Sequence, residues 1–78
     1  MIKDENMELA IKEAKNAAQR NEIPVGAIIK DASGEIIAIE SNKTIESCDP
    51  TAHAEINAIR TACQARKELY LSDCTMYV

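Results

Sequence analysis

The chain has 78 residues, of which 46% are hydrophobic, 28% are charged and 3% are aromatic, and its formal net charge is −4 at pH 7. This length holds one small domain and excludes a second, and the balance of hydrophobic and charged residues excludes a disordered chain. The acidic charge excludes a basic surface for phosphate backbones, so a nucleic-acid contact would need residues elsewhere.

The first predicted element is a helix from about residue 5 to residue 20. Apolar residues recur there at steps of three and four, the period of one helix face: Met7, Ala10, Ile11, Ala14, Ala17 and Ala18. Asp4 or Asn6 can cap its start, and Pro24 prevents its continuation.

Two apolar runs then predict a β-hairpin with strands at about 25–30 and 35–40. The turn between them, residues 31–34, reads Asp-Ala-Ser-Gly, a composition typical of tight turns. The runs lack strict polar alternation, so we expect helices to cover the strands on both faces. The polar residues 41–48 have no period and are predicted to form a loop.

A second helix is predicted at about 50–66, because Asp49 can cap a helix and Pro50 is tolerated at the first helical position. Its buried stripe should consist of Ala52, Ile56, Ile59, Ala62 and Cys63. A third strand begins at about residue 75. A helix between strands indicates a parallel crossover, so the predicted fold class is α/β.

The three cysteines and the N-terminal segment predict a cytoplasmic protein without a membrane span. The cysteines are odd in number and irregularly spaced, which favours free thiols in a reducing compartment. The segment 1–6 is polar and acidic, unlike a signal peptide. No stretch reaches the roughly 18 apolar residues of a span.

His53 is the only histidine, and with Glu55 it forms a His-x-Glu triplet at the predicted helix start. Alone, this spacing is more typical of a capped helix with surface polar residues. A helix N-terminus nevertheless suits a developing anion, and neutral His is a frequent zinc ligand. Residues two apart point about 200° away from each other on a helix, so Glu55 fits an acid/base role better than metal ligation.

Two blocks, Glu22–Ile29 and Asp49–Ile56, resemble the N-terminal half of the tRNA-specific adenosine deaminases, which belong to the cytidine/deoxycytidylate deaminase superfamily. Cys74–Val78 resembles the strand that precedes Pro-Cys-x-x-Cys in that family. The resemblance implies a truncated cytidine-deaminase-like α-β-α sandwich and zinc-dependent deamination of adenosine to inosine in tRNA. Guanine, cytosine and cytidine-nucleotide deaminases share the second block and remain alternative identities.

By this resemblance, His53 is the first zinc ligand and Glu55 is the catalytic proton shuttle. Glu55 would take a proton from zinc-bound water and pass it to the purine ring and the departing ammonia. Ala54 would contact the base through its backbone N–H.

The resemblance also implies substrate contacts from other segments. Asn42 matches the position that binds the base or its sugar, although an Asn at this point also suits a turn. Val25, Gly26 and Ala27 match the segment that lines the pocket. Gly26 is equally compatible with a strand irregularity.

Two cysteine zinc ligands of the family signature are missing from this sequence. Cys63 is predicted to lie in the core, about 15 Å along the helix from His53, and Cys74 should lie at the far end of the sheet. Cys48 can reach His53, but one His and one Cys make a weak, open site.

The sequence therefore favours a chain that is inactive alone and completed by a separately encoded C-terminal half, as part of an enzyme whose relatives are homodimers. The alternative is an inactive remnant, or a small interaction module that associates through an exposed sheet edge.

Overall fold

The computed structural model of the protein describes residues 4–78, so residues 1–3 of the polar N-terminal segment lie outside it. The elements in chain order are α1 (Glu5–Gln19), β1 (Gly26–Lys30), β2 (Ile36–Ser41), α2 (Ala54–Arg66) and β3 (Thr75–Tyr77). The predicted α/β order of helix, hairpin, helix and third strand is confirmed. Asp4 caps α1 by accepting hydrogen bonds from two backbone N–H groups of the first turn.

The three strands form one sheet in the order β2-β1-β3, with β1 antiparallel to both neighbours. Ile28 of β1 lies opposite Ile39 on one side and Tyr77 on the other. Since β2 and β3 each run against β1, they run parallel to each other. The connection through α2 is thus the predicted parallel crossover, and β1 fills the position between its two strands.

The two helices cover opposite faces of the sheet. Both contact β1 and β2, but within residues 4–78 they do not contact each other. Successive β1 side chains alternate between the faces: Gly26 lies against α1, whereas Ala27 packs with the alanines of α2. The result is a three-layer α-β-α arrangement with its main apolar cluster between the sheet and α2.

The hairpin turn is held by the side chain of Asp31. Its Oδ1 accepts hydrogen bonds from the backbone N–H groups of Ser33 and Glu35, each at a distance of 3.0 Å. It also accepts one from the Ser33 hydroxyl at 2.6 Å. Gly34 has a φ of 88°, a conformation that residues with a Cβ rarely adopt. These contacts explain why the predicted turn forms at this position.

The second helix begins at Ala54, so the prediction that it begins at about residue 50 is wrong. Asp49 caps a local turn instead of a helix. Its Oδ1 accepts hydrogen bonds from the backbone N–H of Thr51, at 2.8 Å, and from the Thr51 hydroxyl, at 2.7 Å. The chain then extends through His53, with φ −72° and ψ 153°. His53 consequently becomes the N-cap residue of α2.

The buried stripe of α2 matches the prediction in part: Ala62, and Ala52 just before the helix, are buried as predicted, but the rest of the stripe differs. Within the helix, the stripe consists of Ala54, Ala58 and Ala62, which recur every four residues. Ile59 is 43% exposed, and Cys63 is half-buried rather than in the core. Small side chains at every fourth position let the helix lie close to the sheet, and the larger residues are then turned toward its sides.

Among residues 4–78, no helix combines the length and the apolar character needed to cross a membrane.

Candidate functional site

The predicted site residues converge at one end of the sheet, where β1 begins, β2 ends and α2 begins. The backbone N–H of Lys43 donates to the carbonyl oxygen of Ala52 over 2.9 Å. The side-chain amide of Asn57 donates to the carbonyl oxygens of Ser41, over 3.0 Å, and of Ala52, over 3.2 Å. These hydrogen bonds hold the segment that contains Asn42 next to the segment that leads into α2.

The N-terminus of α2 carries the His-Ala-Glu triplet. His53 is exposed, and its side chain makes no capping hydrogen bond to the helix. Ala54 is fully buried, and Glu55 is half-buried in the first turn. The first-turn N–H groups of a helix have no intrahelical partners and form its positive end. This end can therefore stabilise negative charge next to an imidazole and a carboxylate.

Asn42 is almost completely buried, with 1% of its surface exposed. Its backbone N–H donates to the carbonyl oxygen of Val25 over 3.1 Å. Its side-chain Nδ2 donates to Oε1 of Glu22 over 3.2 Å and to Oγ1 of Thr44 over 3.0 Å. Its Oδ1 is buried and has no hydrogen-bond partner among the described residues. A buried acceptor without a partner is unfavourable, so this oxygen has a hydrogen-bonding capacity that the described residues leave unused.

Glu22 is a buried member of the site to which the sequence analysis gives no role. Glu22 is 5% exposed. Its two carboxylate oxygens accept hydrogen bonds from the backbone N–H groups of Ile45, at 3.1 Å, and of Glu46, at 2.6 Å. Its place in the block Glu22–Ile29, next to an apolar run, was the available signal. Nothing local in the sequence points to its partners more than twenty residues later.

The carboxyl group of Glu22 is ionised. Burial alone raises the pKa of Glu22, because it penalises the charged form. The two backbone N–H donors, the amide of Asn42 and the nearby charge of Arg20 outweigh burial and hold the pKa of Glu22 below its usual range. Glu22 is therefore an anion that accepts hydrogen bonds only.

The segment 25–27 divides between the two faces of the sheet. A Cβ added to Gly26 would meet the carbonyl oxygen of Ala10 and lie 2.8 Å from the backbone nitrogen of Ala14. Gly26 thus allows α1 to approach β1 closely. Ala27 is fully buried in the cluster with α2. That Gly26 and Ala27 also line a substrate pocket stays a prediction.

The residues present do not make a complete zinc site. Within residues 4–78, no three His, Cys, Asp or Glu side chains group closely enough to hold a metal ion. Cys63 lies near the C-terminal end of α2, whereas His53 precedes its first residue. Cys74 precedes Thr75, which pairs with Lys30 at the opposite end of β1. A structural or catalytic zinc needs at least three protein ligands, and the described residues offer His53 as one.

Comparisons with known proteins agree with this arrangement. The family model for the cytidine and deoxycytidylate deaminase zinc-binding region matches residues 1–78. The tRNA-specific adenosine deaminase of Aquifex aeolicus is 46% identical over all 78 residues, which correspond to 51% of that protein. The chain thus spans about half the length of the curated relatives it matches.

Two solved structures share the fold. One comes from a study of A-to-I editing by tRNA:A34 deaminases at the wobble position of transfer RNA; it is 44% identical, with a TM-score of 0.89 over 94% of this chain and 52% of that one. The other, guanine deaminase from Bacillus subtilis, is 37% identical, with a TM-score of 0.91 over 99% of this chain and 49% of that one. The chain belongs to the cytidine and deoxycytidylate deaminase family.

Proposed function

We propose that this chain supplies the nucleoside-binding part of a zinc-dependent hydrolytic deaminase that converts adenosine to inosine in tRNA. The supporting observation is the buried, unpartnered Oδ1 of Asn42, held beside the segment that leads to His53. An unpartnered acceptor destabilises an apolar core, whereas in a binding site it can accept a hydrogen bond from a polar ligand.

Three residues of the α2 N-terminus have separate roles in this proposal. His53 is one ligand of zinc, Glu55 moves protons to and from the reacting base, and the backbone N–H of Ala54 contacts that base. Glu55 is suited to proton transfer because it is a half-buried carboxylate two residues from the ligand. Val25 contributes by holding the backbone of Asn42.

The other zinc ligands lie outside residues 4–78 in this proposal. A Pro-Cys-x-x-Cys segment, the remaining part of the zinc deaminase signature, supplies them from the part of the enzyme that corresponds to the other half of its relatives. The assembled enzyme is a homodimer in the cytoplasm, where free thiols such as those of Cys48, Cys63 and Cys74 stay reduced.

The choice of substrate rests on the relatives. The Aquifex aeolicus protein named as a tRNA-specific adenosine deaminase matches the chain over its whole length, which favours adenosine in tRNA. The similarity to guanine deaminase, at a TM-score of 0.91, makes free guanine the second candidate. Both bases are purines, and a substrate competition distinguishes them.

The test is a substrate competition with the protein supplied with zinc and a Pro-Cys-x-x-Cys segment. Unmodified tRNA with adenosine at the wobble position, guanine, cytosine and a cytidine nucleotide are offered together, and each product is quantified. We expect inosine in tRNA to dominate. Xanthine as the main product would replace adenosine by guanine as the substrate. No product from any of the four would favour an interaction module over an enzyme.

A further inference from the structure

The side-chain amide of Asn42 has two possible orientations, and the residues around it select one. Thr44 does not favour either orientation of the amide, because its hydroxyl can both donate and accept a hydrogen bond. Glu22 does select: the ionised carboxylate only accepts, so Nδ2 must face it, and the reverse orientation would place two acceptors 3.2 Å apart.

We propose that Glu22 is the positioning residue of the base-binding site: it fixes the Asn42 amide so that Nδ2 is bound within the protein and Oδ1 is presented to the substrate as an acceptor. The inference rests on the proposed function. It also states what Asn42 recognises, namely a hydrogen-bond donor of the nucleoside, either an N–H of the base or a hydroxyl of the ribose.

The surroundings of Glu22 keep this orientation rigid. Its carboxylate joins the end of α1 to the loop after β2, because it binds the backbone N–H groups of Ile45 and Glu46 as well as Asn42. Arg20 supports the same loop, donating to the Ser41 hydroxyl over 2.7 Å and pairing with Glu46 over 3.3 Å. The amide thus has fixed neighbours on two sides before any substrate binds.

The first test measures hydrogen exchange of the Asn42 side-chain amide by NMR in the whole protein that carries this chain. Three variants are compared: Glu22→Gln, the control Glu8→Gln, which removes an exposed charge from α1, and Thr44→Val. We expect Glu22→Gln to accelerate the exchange about tenfold or more, because a hydrogen bond to a charged partner is lost. Glu8→Gln should leave the rate within about twofold.

Two results would overturn the proposal. One is an unchanged Asn42 exchange rate in Glu22→Gln with the backbone amides of β1 still protected. The other is an equal acceleration in Thr44→Val and Glu22→Gln, since Thr44 would then orient the amide as strongly as Glu22. If Glu22→Gln does not fold, Glu22→Asp replaces it, because its shorter side chain withdraws the carboxylate from Asn42; an unchanged Asn42 exchange rate in that variant would equally overturn the proposal.

The second test is kinetic and separates this inference from the proposed function. With the zinc-loaded enzyme, Glu22→Gln should raise KM about tenfold with little change in kcat, because binding of the base is lost in the ground and transition states alike. Adenosine, 2′-deoxyadenosine and adenine as competing ligands distinguish a ribose hydroxyl from a base N–H. If the Asn42 amide exchanges slowly but no nucleoside binds, the proposed function is refuted while the orientation of the amide by Glu22 still holds. A fall in kcat alone would contradict the positioning role of Glu22.

Discussion

The backbone N–H of Lys43 donates to the carbonyl oxygen of Ala52 over 2.9 Å, and this bond places the residue after Asn42 beside the residue before His53. The two site residues come from different parts of the chain, one following β2 and the other preceding α2. Their proximity is therefore a property of the fold, and it depends on the short extended segment that separates the Asp49 turn from the helix.

Replacing the carboxylate of Glu55 tests its proposed role in proton transfer. Glu55→Gln keeps the shape of the side chain but cannot carry the proton, so kcat should fall by about a hundredfold to ten-thousandfold in the zinc-loaded enzyme. Inosine formation in tRNA measures the effect. Glu8→Gln, an exposed change on α1, serves as the control, and equal activity of both variants would refute the role.

Gly26→Ala should destabilise the protein by about 1–3 kcal/mol through overpacking. The added methyl group would meet the backbone of α1 at Ala10 and Ala14, which cannot move aside as a flexible side chain can. The free energy of unfolding in urea measures the loss. Gly34→Ala provides a contrast, because the space there is open and only its φ of 88° opposes the change; Gly34→Asn should recover part of that loss, since Asn tolerates this conformation better.

Lys67→Gly should stabilise the protein by about 0.5–1 kcal/mol. Lys67 ends α2 in the left-handed conformation, with φ 54° and ψ 40°, where glycine avoids the strain of a side chain. Thermal unfolding measures the gain. The same substitution inside α1, Lys12→Gly, should cost about 1 kcal/mol. A loss of stability in Lys67→Gly would show that the lysine side chain matters more than its backbone conformation.

The protein should lose stability in acid partly through Glu22. The pKa of Glu22 is lower in the folded protein than its ordinary value of about 4.3, so its ionised form stabilises the fold above that value. This contribution disappears as the pH falls through the lowered, folded pKa. Urea midpoints between pH 7 and pH 2 should therefore fall less steeply for Glu22→Gln than for the wild type; parallel curves would argue against the assignment. Asp49→Asn should flatten the curve in the same direction, because hydrogen bonds from Thr51 also lower the pKa of Asp49.

Local patterns in the sequence predict the elements well because each has a local cause. The hairpin follows from Asp31 and Gly34, whose roles depend only on neighbouring residues. The start of α2 is misplaced because Asp49 has two possible uses, capping a helix or closing a turn, and the sequence does not distinguish them. Its buried face is predicted only in part, because Ala62 is buried as expected whereas Ile59 is exposed.

The site is less predictable because it depends on contacts between distant segments. The triplet at His53 is visible as a motif, whereas the pairing of Glu22 with Asn42 joins residues twenty positions apart. The sequence gives equally little sign of the close approach of Gly26 to α1, because the residues that it meets, Ala10 and Ala14, precede it by more than ten positions. Only the folded chain shows that the carboxylate of Glu22 accepts a hydrogen bond from the side-chain amide of Asn42.

The most direct test of the central claim is the inosine content of tRNA at the wobble position after incubation with this protein, zinc and a Pro-Cys-x-x-Cys segment. Wild type and His53→Ala are compared. We predict conversion of adenosine to inosine by the wild type and none above background by His53→Ala. Equal conversion by both proteins, or none by either while zinc is bound, would contradict the assignment of His53 and of the α2 N-terminus to the deaminase site.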